Sequence, residues 1–163
     1  MSASRVTAES KREALGTFLR LPSLAVIGVS ADRKKFGNQV YRALAERGVT
    51  VYPVHRSLTE VEGVKCYQRV EDLRGKIEGV VTVVPPAETE RLMENCAEAG
   101  VKAVWMQQGS ESPAAIDVAR QLGMRVVTGE CILMYLEPVG SVHGVHRWFK
   151  KLFGGYTSPP AGG

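Results

Sequence analysis

Residues 25–40 read AVIGVSADRKKFGNQV. An apolar run enters Gly28, and Val29 and Ser30 follow. Then come three consecutive cations, Arg33, Lys34 and Lys35, then Phe36 and a second glycine, Gly37. A segment with helical spacing opens at Asn38. A strand that turns through glycine into a helix can seat an anion. The first N–H groups of a helix are unpaired and its dipole is positive at that end. Gly28 would let the backbone turn tightly beside a ligand. Ser30 brings a hydroxyl, Asn38 an amide, and Lys34 and Lys35 mobile charge. The dinucleotide fingerprint G-x-G-x-x-G is missing, because only Gly28 and Gly37 remain of its glycines. The expected ligand is phosphorylated and takes a longer, more basic turn.

The other strand ends narrow that ligand. After the apolar run 49–54, a NAD site would place an acid on the ribose hydroxyls. Here the chain runs Pro53, Val54, His55, Arg56, with no acid. That argues against NAD and permits a ligand with a phosphorylated ribose, NADP or coenzyme A (CoA). After 79–84, Val84-Pro85-Pro86 could form a flat apolar ledge for a base or a pantetheine arm. After 101–106, Gln107 and Gln108 offer amides and Gly109 allows close approach. Trp105 is assigned to the core.

These residues need elements to position them. Helical spacing predicts helices over 7–20, 38–48, 87–100, 112–123 and 143–155. Ser112 followed by Pro113 is a strong start signal. Short apolar runs predict strands over 24–29, 49–54, 79–84, 101–106 and 124–129. Their continuous apolar character suits strands buried on both faces. Residues 64–68 are read as a short strand and 70–73 as one helical turn. Strand and helix alternate about five times, so helices supply the crossovers that parallel strands need. The expectation is a single-domain, doubly wound α/β fold with a mostly parallel sheet of five or slightly more strands. It spans residues 1–155, and 156–163 form a disordered tail. Ligands of such sheets bind beyond the carboxyl ends of the strands, at the switch point.

Taken together, Val26-Ile27-Gly28-Val29-Ser30, Gly37, Val51-Tyr52-Pro53-Val54, Val83-Val84-Pro85 and Trp105-Met106-Gln107-x-Gly109 resemble the Rossmann-type CoA-binding protein family. That family is related to the CoA-binding domain of the succinyl-CoA synthetase alpha subunit. The resemblance covers about residues 20–135, and Cys131 matches a cysteine common after the last strand. It implies that the Gly28–Ser30 turn and the helix start at Gly37 hold the CoA diphosphate. Pro53–Arg56 would lie by the adenosine half, and Val84-Pro85 would line the adenine or pantetheine path. The family often has Asn-Pro after the second strand's Pro-Val, where this chain has His55-Arg56. Ligase relatives carry a phosphorylated histidine with its own glycine-rich loop. His143 and His146 have no such loop, so ligase activity is not implied.

No nucleophile, base and orienting group stand together in the sequence. Cys131 could face the pocket and react with a CoA thiol, although a core position is the commoner fate of cysteine. Cys131, His143 and His146 lack a fourth metal ligand. No catalytic residue and no metal site are assigned. The three cysteines are odd in number and scattered, as reduced thiols are. No apolar run reaches membrane-spanning length, and the N-terminus lacks a signal-peptide core; a cytoplasmic protein is expected. The net charge of +4 is mostly spread out, and no DNA-reading segment or aromatic-basic platform accompanies it, which disfavours a nucleic-acid partner.

Three functions stay open: non-catalytic binding of CoA or an acyl-CoA; an NADP- or CoA-dependent enzyme needing a partner; and a regulator sensing a nucleotide cofactor. The apolar segment with Trp148, Phe149, Leu152 and Phe153 suits either covering the sheet or mediating a homodimer or protein contact.

Overall fold

The computed structural model describes residues 3–136, with side chains from Ser10 onward. The expected helix 143–155, the tail 156–163 and His143 and His146 lie outside the described residues.

Five parallel strands form the main sheet: β1 (Ser23–Ile27), β2 (Thr50–Val54), β5 (Gly79–Thr82), β6 (Ala103–Met106) and β7 (Arg125–Val127). Their spatial order is β2-β1-β5-β6-β7. The chain runs outward from β1 to β2, then returns to β5 on the other side of β1. The switch point is therefore the gap between β1 and β5, and the expected α/β architecture is observed. The helices are α1 (Ala3–Leu19), α2 (Phe36–Glu46), α3 (Pro86–Glu98), α4 (Pro113–Gln121) and the short α5 (Leu133–Leu136). A 3-10 turn covers Val70–Leu73.

Alternate strand residues feed two cores, which is why the strand interiors are largely apolar. Val26, Val81 and Trp105 pack with Phe18, Val40, Leu44 and Leu133 on one face. Ala25, Ile27, Val80, Val104 and Met106 pack with Met93, Cys96, Ala115 and Ala119 on the other. Trp105 is fully buried, edge-on to Phe18 and Tyr135 with ring centroids 5.5 and 5.7 Å away. Its Nε1 donates to the Glu130 carbonyl at 3.2 Å. At α4 the Ser112 hydroxyl accepts the Ala115 N–H at 3.0 Å, the cap that the Ser-Pro pair foretold.

Local expectations change at three places: α1 begins at Ala3, four residues before the expected 7, and the hairpin and the start of α2 also differ. Within 64–68 the strand is Val64–Lys65 (β4), and Tyr67 adds a single parallel bridge to Val54 of β2. Strand β4 pairs antiparallel with Glu60–Val61 (β3) in a hairpin outside the main sheet. The hairpin turns through Glu62 and Gly63, both at positive φ (54° and 75°), as a tight two-residue turn requires. Helix α2 begins at Phe36, two residues before the expected start, because Lys35 is the extended N-cap.

Candidate functional site

The turn after β1 is held from within. Gly28 adopts φ +110°, and a Cβ there would lie 2.3 Å from the Val83 carbonyl oxygen. A Cβ on Gly37 would lie 2.2 Å from the Gly28 carbonyl oxygen. Both glycines therefore let the end of β1 pack between the start of α2 and the end of β5. The sequence suggested ligand approach at Gly28; the structure adds backbone packing as a reason for glycine. The Gly28 N–H donates to the Val54 carbonyl at 3.2 Å.

Asn38 is fully buried and frames the turn. Its Oδ1 accepts the Ser30 N–H and its Nδ2 donates to the Ser30 carbonyl, each at 2.8 Å. Nδ2 also donates to Glu62 Oε1 at 3.1 Å. Ser30 Oγ accepts the Asp32 N–H at 3.1 Å, and Asp32 Oδ1 accepts the Lys34 N–H at 2.9 Å. Glu62 pairs with Arg33 Nε at 3.1 Å and with an Arg42 guanidinium nitrogen at 2.7 Å. Burial pushes the Glu62 carboxyl up. The Asn38 hydrogen bond and the Arg42 and Arg33 charges outweigh burial and hold it below the ordinary carboxylate value. Arg33 is thus committed to Glu62, while Lys34 and Lys35 are exposed and make no ion pair among the described residues.

Beyond the strand ends lie two adjoining compartments that share Val83, Val84 and Pro85. The first, of about 430 Å³, lies over β1 and β2 and is the more polar of the two. Gly28, Val29, Val54, His55 and Arg56 line it, together with Arg69, Glu71, Glu88 and Asn95. His55 Nδ1 accepts from the Ser57 and Leu58 N–H groups at 3.2 and 3.3 Å, so in the neutral ring Nε2 carries the proton. Glu71 accepts from Arg69 at 3.2 Å and from the Asn95 amide. Burial raises the Glu71 carboxyl, but its own backbone N–H, Asn95 and Arg69 more than offset that. No acid follows β2 in the chain, yet the 3-10 turn carries one into the same compartment. Arg69, Glu71 and Asn95 were not expected from sequence, because nothing in 68–78 shows which way that turn folds back.

The second compartment, of about 560 Å³, is mainly apolar. Phe36, Pro86 and Cys131 line it beside the shared ledge, with Gln107, Gly109 and Ser110 along its polar edge. Gln107 Oε1 accepts the Ile132 N–H at 3.1 Å. Ser110 donates to Thr82 Oγ1 at 3.0 Å and shares a 2.7 Å hydrogen bond with Thr89. Cys131 does face this space. Cys96 does not reach either compartment; burial, with the Glu71 charge, pushes its thiol up to about 12.

Of the candidate residues, Gly28, Val29, Val54, His55 and Arg56 reach the polar compartment, Phe36, Gln107 and Gly109 the apolar one, and Val84 and Pro85 both. Ser30, Lys34, Lys35, Gly37, Asn38 and Pro53 line neither. Pro53 sits within β2, and its carbonyl accepts the Tyr67 N–H at 2.9 Å on the outer edge.

The CoA binding domain family matches residues 22–137, well over half of the chain. The chain belongs to that family. It is 33% identical over 129 residues to the alpha subunit of ADP-forming acetate–CoA ligase II from Pyrococcus furiosus, covering 72% of this chain and 28% of that one. Among solved structures, a conserved hypothetical protein from Pyrococcus furiosus superposes with a TM-score of 0.66 at 33% identity. That match covers 69% of this chain and 97% of the other. Dinucleotide-forming acetyl-coenzyme A synthetase 1 of Ca. Korarchaeum cryptofilum, in complex with phosphate and ADP, gives 0.62 at 31% identity, covering 70% and 27%. The chain spans between 18% and 28% of the length of the first ligase relatives. Among the described residues no helix is long and apolar enough to cross a membrane, and no cluster could hold a metal.

Proposed function

We propose that this domain binds CoA non-catalytically along the trough formed by the two compartments. The observation that carries this reading is their shared ledge, Val83-Val84-Pro85. It joins the more polar space, bearing His55, Arg56 and Arg69, to a mainly apolar space that Cys131 lines. CoA has the same division: a phosphorylated adenosine diphosphate half and a long, largely apolar pantetheine arm. The diphosphate lies over the Gly28–Ser30 turn near the uncapped start of α2, with Lys34 and Lys35 at the rim. His55 and Arg56 meet the ribose phosphate. Gly37, Asn38 and Pro53 act by shaping these walls.

The test is a pair of titrations by calorimetry. CoA is expected to bind more tightly than dephospho-CoA, and NAD weakly or not at all. Arg56→Glu should narrow the gap between CoA and dephospho-CoA. A charge-assisted contact of about 1.5–3 kcal/mol, reduced by exposure, makes that gap roughly tenfold. Equal affinities for the two ligands would remove His55 and Arg56 from the adenosine site. No binding of either would sink the CoA reading.

The ligase relative named above is an alpha subunit, of which this chain covers 28%. This favours a second reading, in which the CoA-loaded domain docks on a partner chain that supplies catalysis. Acetyl-CoA formation from acetate, ATP and CoA only in the presence of such a partner would support it.

A further inference from the structure

We infer that the apolar compartment recognises an acyl thioester, with the Gln107 amide donating to its carbonyl oxygen. The inference rests on the CoA reading and deepens it, from CoA in general to acyl-CoA.

Gln107 is 95% buried, being 5% exposed, and lines only the apolar compartment. Its orientation is fixed by chemistry. The Ile132 N–H can only meet an oxygen, so Oε1 faces Ile132 and Nε2 is the other end. Nε2 meets no acceptor among the described residues. Among the described residues no fully enclosed side-chain nitrogen or oxygen lacks a partner, so Nε2 is open to the space that Gln107 lines. A donor held in a mostly apolar cavity calls for a carbonyl.

The order of the trough says which carbonyl. The two pantetheine amides lie along the arm, toward the shared ledge. The sulfur end passes the ledge into the apolar compartment, which Gln107 and Cys131 line. A free thiol is a poor acceptor and leaves Nε2 unanswered. A thioester puts a carbonyl carbon directly on that sulfur. Its acyl chain then lies against Phe36, Val84 and Pro86, in a cavity of ordinary ligand size.

Three ligands test this by calorimetry: CoA, acetyl-CoA and S-ethyl-CoA, a thioether of similar size without the carbonyl. Wild-type protein should bind acetyl-CoA roughly three- to tenfold more tightly than either of the others, the range of one hydrogen bond. Gln107→Glu keeps an oxygen for the Ile132 N–H but replaces the donor with an anion. It should abolish the acetyl preference, read as the ratio of acetyl-CoA to S-ethyl-CoA affinity, while circular dichroism and thermal unfolding check that the variant folds. Equal wild-type affinities for acetyl-CoA and S-ethyl-CoA would overturn the inference without any variant. So would equal weakening of all three by Gln107→Glu, which would put the amide on a pantetheine carbonyl instead. Both results leave the CoA reading standing. If none of the three binds, that reading falls and this one with it.

Discussion

At the scale of single residues, two glycines with similar backbone angles separate strain from packing. Gly28 and Gly109 sit at φ +110° and +91°. A Cβ at Gly28 would strike the Val83 backbone, whereas one at Gly109 would meet nothing within 4 Å. Gly109→Ala should therefore cost only the conformational strain, about 1–2 kcal/mol. Gly28→Ala adds overpacking against a strand that cannot yield, for about 3–5 kcal/mol in all. Denaturant unfolding of both variants measures the difference. Equal losses would mean that β5 gives way. The sequence showed that position 28 wanted glycine but suggested a ligand as the reason. The Val83 carbonyl, 55 positions along the chain, was invisible until the sheet was assembled. Asn38 is a similar case. Its residue type announced hydrogen bonding, but not that Ser30 and Glu62 would take its amide.

At the scale of elements, the β3–β4 hairpin buttresses the turn after β1. Glu62 at its tip reaches Asn38, Arg33 and Arg42, tying the hairpin to the start of α2. Its carboxyl is held below the ordinary value when folded. The folded state therefore binds that proton less readily than the unfolded chain. The stabilisation is fully present above the unfolded carboxylate range, near pH 4.5. It is lost as pH falls through the depressed folded value. Glu62→Gln should flatten this part of the acid-unfolding profile and cost about 1–3 kcal/mol at neutral pH, since Arg42 then loses its counter-charge. An unchanged profile between pH 5 and 3 would show that Glu62 does not support the turn. The long elements were legible because their apolar spacing is repeated over several turns. The hairpin was not. Two-residue strands carry too little pattern, and its decisive residue is a lone glutamate that reads as surface.

At the scale of the whole molecule, the rhythm of strands and helices was enough to give the parallel sheet and the place of the trough. The division of the trough into a polar and an apolar half was only partly legible. His55, Arg56, Pro85 and Gln107 follow strands directly and could be found there. Arg69, Glu71 and Asn95 arrive from a turn and a helix whose docking the sequence leaves undetermined.

The outer rim of β2 has a consequence for how copies of this molecule can meet. In β2, Val51 and Pro53 face away from β1. Pro53 has no N–H to offer, and the Tyr67 main chain bonds both the Pro53 carbonyl and the His55 N–H. Val51 is left as the one outward-facing residue of β2 without a main-chain partner among the described residues. At the opposite rim β7 is only three residues long. A strand from a second copy would thus find almost no ladder to extend on either side. The segment through Tyr67 therefore blocks strand addition along this part of β2.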